Sequence, residues 1–354
     1  MLHGGRHWVG NAPCEVETMG LAGALEPVTL LDGWRGGEAY TLSLRSAWLD
    51  YPAHEARRLL PPAARWAGAA ALPLITRAPR SWMAVARLDR AAVLFNRLAS
   101  TNLYPQLDAD DWRAAVAAAT HTALRRYPDR PLAWRSVCPA IHPGLAQALH
   151  AAGWMLVPAR RVWLCDPADA AVWKRNNVRN DKRLMFRPDF DWVRGSELHA
   201  SDLPALRACF EAVFSGKHSP LNPDFTPAFF DLCRRGGPVE LLALRYQGQW
   251  MGVLGLDARH GWLTSPLLGY DTRQPQALAL YRRLMARLLH EARERGLKLH
   301  YSSGADAFKA ARGGEPQMEY TALYTGHLPA PRDLAARGFA RVMGALVPWA
   351  LDRA

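Results

Sequence analysis

A histidine side chain titrates near neutral pH, and His218 stands where one would be held still. It lies in Ser215-Gly216-Lys217-His218-Ser219-Pro220-Leu221-Asn222-Pro223, a segment too rich in Gly, Pro and Asn to be regular. On such a constrained loop it is a candidate acid or base; an exposed loop histidine without a role is the plainer reading. A second group is cationic. Residues 173–187 read WKRNNVRNDKRLMFR, six cations against the single acid Asp181. If this run is helical, Arg179, Lys182 and Arg183 share a face at three- and four-residue spacing and can contact phosphate. A solvated linker helix has the same composition. Aromatic interleaving is weak, which argues against a sequence-specific nucleic-acid binder. There is no Gly-x-Ser-x-Gly elbow, no zinc-ligand spacing and no Walker loop, which disfavours hydrolase, metalloenzyme and ATPase chemistry.

Such groups need a frame, and Val239 to Gly304 supplies one. Residues 239–246, 250–257 and 262–270 alternate as strands, with turns at Gln247-Gly248-Gln249 and Arg259-His260-Gly261. A helix follows whose Leu278, Tyr281, Met285, Leu288 and Ala292 form one apolar stripe, with Arg282, Arg283, Arg287, Arg293 and Arg295 largely off it. Pro275 fits its first turn and Gly296 its left-handed stop. Leu297, Leu299 and Tyr301 then alternate as a fourth strand. Three meandering strands, a crossover helix and a parallel strand make a specific succession, because a parallel pair needs a connection long enough to cross the sheet.

That succession resembles the acyl-transferase core of the GNAT superfamily. Beyond it come Gly269-Tyr270-Asp271, then Ser302-Ser303-Gly304-Ala305-Asp306-Ala307-Phe308-Lys309 and Gly313-Gly314. This order is similar to the branch holding the Fem-type aminoacyl transferases and related N-acyltransferases, whose last strand leads into a Gly-Asp-(Tyr/Phe)-Lys segment. The resemblance covers roughly residues 165 to 325. It implies that Lys309 stabilises a developing oxyanion or fixes a donor phosphate, with Asp306 orienting it; a surface lysine is the alternative. It places Tyr270, Tyr301 and Ser303 at a splay between parallel strands, where the tyrosines protonate a leaving thiolate, line an acyl tunnel or simply pack. Gln274-Pro275-Gln276-Ala277-Leu278-Ala279 matches a permissive form of the superfamily's pyrophosphate-binding pattern, which makes Gln274, Ala277 and Ala279 donor contacts. Arg179 and Arg183 join them, since a Trp followed by spaced Arg opens the second lobe in the resembling family.

The rest of the chain fits a two-lobed protein. Its 354 residues suffice for two domains, and a hydrophobic content of 49% with 21% charge is globular. The net charge of +12 suits partners rich in phosphate or carboxylate, such as coenzyme A, a carrier-protein phosphopantetheine arm or tRNA; a coding bias toward Arg and Ala gives the same balance. Five widely spaced cysteines, Cys14, Cys138, Cys165, Cys209 and Cys233, with no Cys-x-x-Cys pair, read as reduced thiols in a cytoplasm. No apolar window suggests a signal peptide or a membrane span, and the apolar run from Phe339, broken by Pro348, reads as a docked helix.

We expect a partly disordered lead-in at 1–38 with one strand, an N-terminal lobe at 39–165, a catalytic lobe at 166–330 and a C-terminal helix at 331–354. Within the first lobe the sequence predicts a strand at Leu72-Pro73-Leu74-Ile75-Thr76 after an Ala-rich run from Ala63, a hairpin of 81–88 with 91–98, and helices at 108–126 and 142–152. Met83 to Val137 repeats the order of elements in Met251 to Ser303, which suggests an internal duplication. The fold class is therefore α/β: two tandem GNAT-like lobes, each a mixed, mostly antiparallel sheet flanked by helices. The expected activity is metal-free N-acyl transfer to an amine of a small molecule or peptide from an acyl-CoA or acyl-carrier-protein thioester, with no tightly bound cofactor. Aminoacyl transfer from tRNA and a non-catalytic binding module are the alternatives.

Overall fold

The computed structural model describes residues 4–59, 65–214, 216 and 218–353. Among these residues the spine is one sheet of eleven strands. In chain order these are β1 Cys14–Leu21, β2 Ala24–Leu31, β3 Ala92–Leu94, β4 Leu132–Val137, β5 Met155–Cys165, β6 Phe190–Arg194, β7 Glu240–Tyr246, β8 Gln249–Arg259, β9 Trp262–Tyr270, β10 Lys298–His300 and β11 Glu315–Tyr324. The helices are α1 Gly5–Trp8, α2 Tyr51–Leu59, α3 Arg65–Ala86, α4 Ala109–Arg126, α5 Pro143–Ala151, α6 Ala170–Lys174, α7 Asn176–Met185, α8 Leu203–Phe214, α9 Pro227–Arg234, α10 Leu280–Glu294, α11 Asp306–Ala310 and α12 Ala330–Leu351.

Across the sheet the order is β1-β2-β3-β4-β11-β5-β10-β9-β8-β7-β6, nearly a palindrome about the β11/β5 pair. On one side β3 and β4 run parallel and are joined through α4; on the other β9 and β10 run parallel and are joined through α10. Each unit then adds a short helix and a long antiparallel strand, and these last strands are exchanged: β5 pairs with β10, and β11 with β4. The two lobes therefore share one sheet. Leu284, Met285 and Leu288 of α10 pack with Leu254 and Leu263 on one face, while Phe210 of α8 packs with Leu241 and Leu267 on the other. Gly269 permits that second contact, since a Cβ there would lie 2.3 Å from the Phe210 Cα.

The expected duplication holds for the parallel strands and their helices, but Met83 lies in α3 rather than in a strand. Other expectations in the first lobe need correction. Residues 4–38 are not a lead-in with one strand: β1 and β2 form a hairpin closed by Ala22 and Gly23 at φ 48° and 80°, and β2 extends the sheet by pairing with β3. Two consecutive left-handed residues match the strand twist, as they do at Gln247-Gly248 and His260-Gly261. Residues 72–76 continue α3, and the proposed hairpin of 81–88 with 91–98 is the end of that helix, a 3-10 turn and the short β3. Ala63 and Ala64, and the first three residues of the lead-in, lie outside the described residues. α12 docks as expected, with buried Phe339 against Trp48. Among the described residues no helix is long and apolar enough to cross a membrane.

Candidate active site

Strands β9 and β10 stay together for three pairs only, Trp262 with Lys298, Leu263 with Leu299 and Thr264 with His300. Then they part. The pairing of β9 with β8 shifts register between Asp257 opposite Thr264 and Gly255 opposite Leu267, which puts a bulge at Ser265-Pro266. On the other side the backbone of Tyr301 and Ser302 bonds to Trp163 of β5 instead, Tyr301 N–H donating at 2.8 Å and Ser302 C=O accepting at 3.1 Å. The parallel pair therefore opens as a wedge.

Aromatic side chains gather on the α10 side of this opening. Tyr281 stands 6.2 Å from Tyr270 and 4.8 Å from Phe308 between ring centroids, and both rings pack against the core cluster that contains Tyr301. The Tyr301 hydroxyl is buried without a hydrogen-bond partner among the described residues. Burial pushes it well above the ordinary phenol range, so it stays protonated and is a donor awaiting an acceptor.

Beyond Tyr301 the chain passes through Ser302, Gly304 and Ala305, all left-handed at φ 60°, 75° and 52°, before α11 begins. Left-handed non-glycine residues cost on the order of 1–3 kcal/mol each and persist where surroundings enforce them. Here the tight path turns the Ser303 carbonyl inward, where it accepts a 2.6 Å hydrogen bond from the Lys309 ammonium. Lys309 is only 4% exposed, which removes the surface-lysine alternative. Burial pulls its ammonium down to about 7; Asp306 opposes that fall, and the like charge of Arg160 adds to it. Lys309 can therefore take up or release a proton near neutral pH. Asp306, on the same short helix, accepts a 2.9 Å bond from the Trp163 indole and faces Arg161 at 3.8 Å.

The candidate donor residues occupy the surface above. Gln274, Pro275, Gln276, Ala277 and Leu278 form an exposed loop and 3-10 turn that precede α10; Pro275 is not in its first turn and Leu278 is not on its stripe. Ala279, at φ 51°, turns the chain into the helix, and no side chain caps the first turn. The free amides there fit a phosphate. Gln274 bonds to Asp271 at 3.0 Å. Arg283, expected outside, is 1% exposed and stacks 3.6 Å over Phe190. Arg179, Lys182 and Arg183 are exposed on α7, whose buried Asp181 binds Arg282 of α10 and Arg312 at 2.6 Å each. The structure thus brings Tyr270, Tyr301, Ser303, Asp306 and Lys309 to the wedge and sets Gln274, Ala277, Ala279, Arg179 and Arg183 along its α10 side. His218 is exposed on the loop after α8 whose Leu221 and Asn222 bond to Tyr40 and Asn11; the charges acting on Lys309 are Asp306 and Arg160. Ser215 and Lys217 of that loop lie outside the described residues.

On the α8 and α9 side a cavity of about 260 Å3 opens between the lobes, walled by Thr29, Asn96 and Leu98 of the first and by Phe229, Asp257 and Pro266 of the second. It is largely apolar and reaches Pro266, the bulge where β9 leaves β10. This cavity was not legible in the sequence, because its walls, such as Leu98 and Asp257, come from segments far apart in the chain. Arg160, Glu319 and His300 were also missed. For Arg160 the signal was a charged pair, Arg160-Arg161, within an otherwise apolar strand, where a charge stays buried only when paired; Glu319 and His300 carried none.

No protein-family model matches the chain, and no curated protein does so by sequence. Solved structures do match. FemX aligns with a TM-score of 0.50 at 10% identity, over 67% of this chain and 81% of that one. The fold is GNAT-like. At such identity FemX speaks for the fold alone. L-PGS from Bacillus licheniformis aligns at 14% identity with a TM-score of 0.48, over 66% of this chain and 79% of that one. A tandem GNAT protein from the clavulanic acid biosynthesis pathway aligns at 15% identity with a TM-score of 0.37, over 68% and 76%.

Proposed function

We propose that the chain transfers an acyl group from an activated donor to an amine, with Lys309 as the proton acceptor. The observation that carries this reading is a buried lysine, poised near neutrality, beside an open wedge in a GNAT-like sheet. The donor enters from the α10 side, its phosphates on the first-turn amides of α10 and its carbonyl in the wedge near Tyr301. The amine enters from the inter-lobe cavity. Its nitrogen attacks the carbonyl, the new C–N bond forms, and the bond to the donor's sulfur or oxygen breaks. Neutral Lys309 takes the proton that the nitrogen sheds, and the Tyr301 hydroxyl is placed to donate a hydrogen bond to the leaving atom, which takes its proton from solvent as it departs. Holding both reactants in facing cavities lowers the entropic barrier.

An acyl-CoA or acyl-carrier thioester is the donor we favour. A second reading takes an aminoacyl group from tRNA, and the six exposed cations of residues 173–187 beside α10 favour it, since they exceed what one pyrophosphate needs. Either donor places the reaction in the cytoplasm. Thermal-shift titrations separate the two, because a ligand at a hundred times its Kd stabilises the native state by about 2.7 kcal/mol. Stabilisation by acyl-CoA and not by charged tRNA supports the first reading and the reverse supports the second; a shift with neither, and no transfer to any amine, overturns both and leaves a binding module.

A further inference from the structure

Arg160 and Glu319 face each other across β5 and β11, the exchanged strands at the centre of the sheet. Their ion pair is buried, with Arg160 Nε to Glu319 Oε1 at 2.7 Å. Nothing in the acyl-transfer reading uses it, and buried ion pairs are poor stabilisers on their own. Its remaining contacts point two ways. The Arg160 guanidinium donates to the Ser100 carbonyl at 2.6 Å and the Thr101 hydroxyl at 2.9 Å in the first lobe, and approaches the Ser302 hydroxyl at 3.4 Å in the second. Ser302 is the first left-handed residue of the path that presents the Ser303 carbonyl to Lys309. His300, 3.7 Å from the free oxygen of Glu319, accepts the Ser302 N–H at 3.1 Å.

We infer that Arg160 is a positioning residue through which the first lobe controls Lys309: anchored on Ser100 and Thr101, it braces the Ser302 turn and holds a positive charge toward the lysine amine, while Glu319 limits how much of that charge is felt. This rests on the reading of Lys309 as a proton acceptor. The charges that act on that amine are Asp306 on its own helix and Arg160 on β5; His300 on β10 faces it, and Glu319 on β11 reaches it through Arg160. Arg160 repels a proton from Lys309, so its removal lets the lysine hold one more tightly. Glu319 acts in the opposite sense, by neutralising Arg160. Burial alone would raise its carboxyl, but Arg160 and His300 hold it at about 2, so it is a full negative charge at neutral pH.

The chain has five lysines, so isotope-labelled lysine NMR resolves each side chain, and loss of a signal in Lys309→Arg assigns Lys309. In Arg160→Gln the Lys309 titration moves up toward the ordinary lysine value. In Glu319→Gln, whose amide oxygen still accepts from Arg160, it moves further down. A purely structural role would loosen the site in both variants and move both titrations up. The inference is overturned if both shifts share a sign or if neither occurs while the other four lysine signals keep their wild-type positions. Should Arg160→Gln not fold, Glu319→Gln alone decides, and anything but a downward shift overturns it. A wild-type Lys309 that titrates like a free lysine defeats the acyl-transfer reading instead, and the signs of the two shifts still judge Arg160.

Discussion

The molecule contains two wedges of the same design, and one of them is filled. In the first lobe β3 and β4 pair through Leu94 opposite Trp134 and then diverge, as β9 and β10 do after Thr264 and His300. Ser136 and Ser302 even share the left-handed backbone at φ 58° and 60°. Into the first opening go Arg135, donating 2.9 Å bonds to Asn96 Oδ1 and the Thr41 carbonyl, and Tyr104, donating 2.6 Å to the Arg135 carbonyl. His142 closes the group on the Tyr104 carbonyl at 3.0 Å, and burial holds its imidazole down at about 4. The second opening has Tyr301 with an unpaired hydroxyl and, behind it, Lys309. The difference lies in what fills the opening: in the first wedge Arg135 and Tyr104 bond across it, although Trp134 Nε1 and His142 Nδ1 stay unpaired there, and the second keeps a donor and a titrating amine in reserve.

The sharpest way to break this contrast is Lys309→Ala. Loss of the proton acceptor should cut transfer about 100- to 10,000-fold with the fold intact by circular dichroism. Unchanged turnover would make the second wedge as idle as the first. Next in size is Arg135→Met, which removes a charged donor from three oxygens of the filled wedge; we expect a loss of about 2–4 kcal/mol in denaturant unfolding. The pH dependence of stability supplies a third. Lys309 binds a proton less tightly folded than unfolded, so its penalty is full below about 7 and is relieved as pH rises toward 10.5. Lys309→Met should therefore gain stability over the parent below neutrality, at about 1.4 kcal/mol per tenfold difference in proton affinity, and lose that gain in alkali; a gain independent of pH refutes the shift. The two tyrosines give a smaller, paired test. Tyr104→Phe should cost about 1 kcal/mol, and Tyr301→Phe should cost nothing or gain slightly, since its hydroxyl is buried unpaired. Equal costs would mean that the second wedge is satisfied too. Smallest of all, Arg179→Glu with Arg183→Glu should leave stability within about 0.5 kcal/mol while weakening donor binding most at low salt.

Much of the second lobe was legible because its signals are local. Strand alternation, two left-handed turns and an amphipathic helix marked out β7 to β10 to within a few residues, and the order of elements pointed to the GNAT-like fold. The start of α10 was misplaced because Ala279 adopts a left-handed conformation that alanine does not advertise. The strand assigned to 72–76 failed because a run of apolar residues has no period of its own, and Pro73 suggested a break that α3 absorbs. The hairpin β1-β2 was missed because Ala22-Gly23 is a weak form of the usual Asn-Gly signal. At the candidate site, Lys309 and Asp306 came from a motif, whereas Arg160 and Glu319 meet only because strands far apart in the chain are neighbours in the sheet.

The reciprocal insertion of β5 and β11 governs how the molecule must be made. During synthesis β4 emerges long before its neighbour β11, so the first half waits on the ribosome with an unsatisfied flank until β11 has been made. Assembly of the centre is then a late, long-range event and a slow one. Neither half cut free at the midpoint would be a self-sufficient product, and the two fragments should regain a stable form only when mixed.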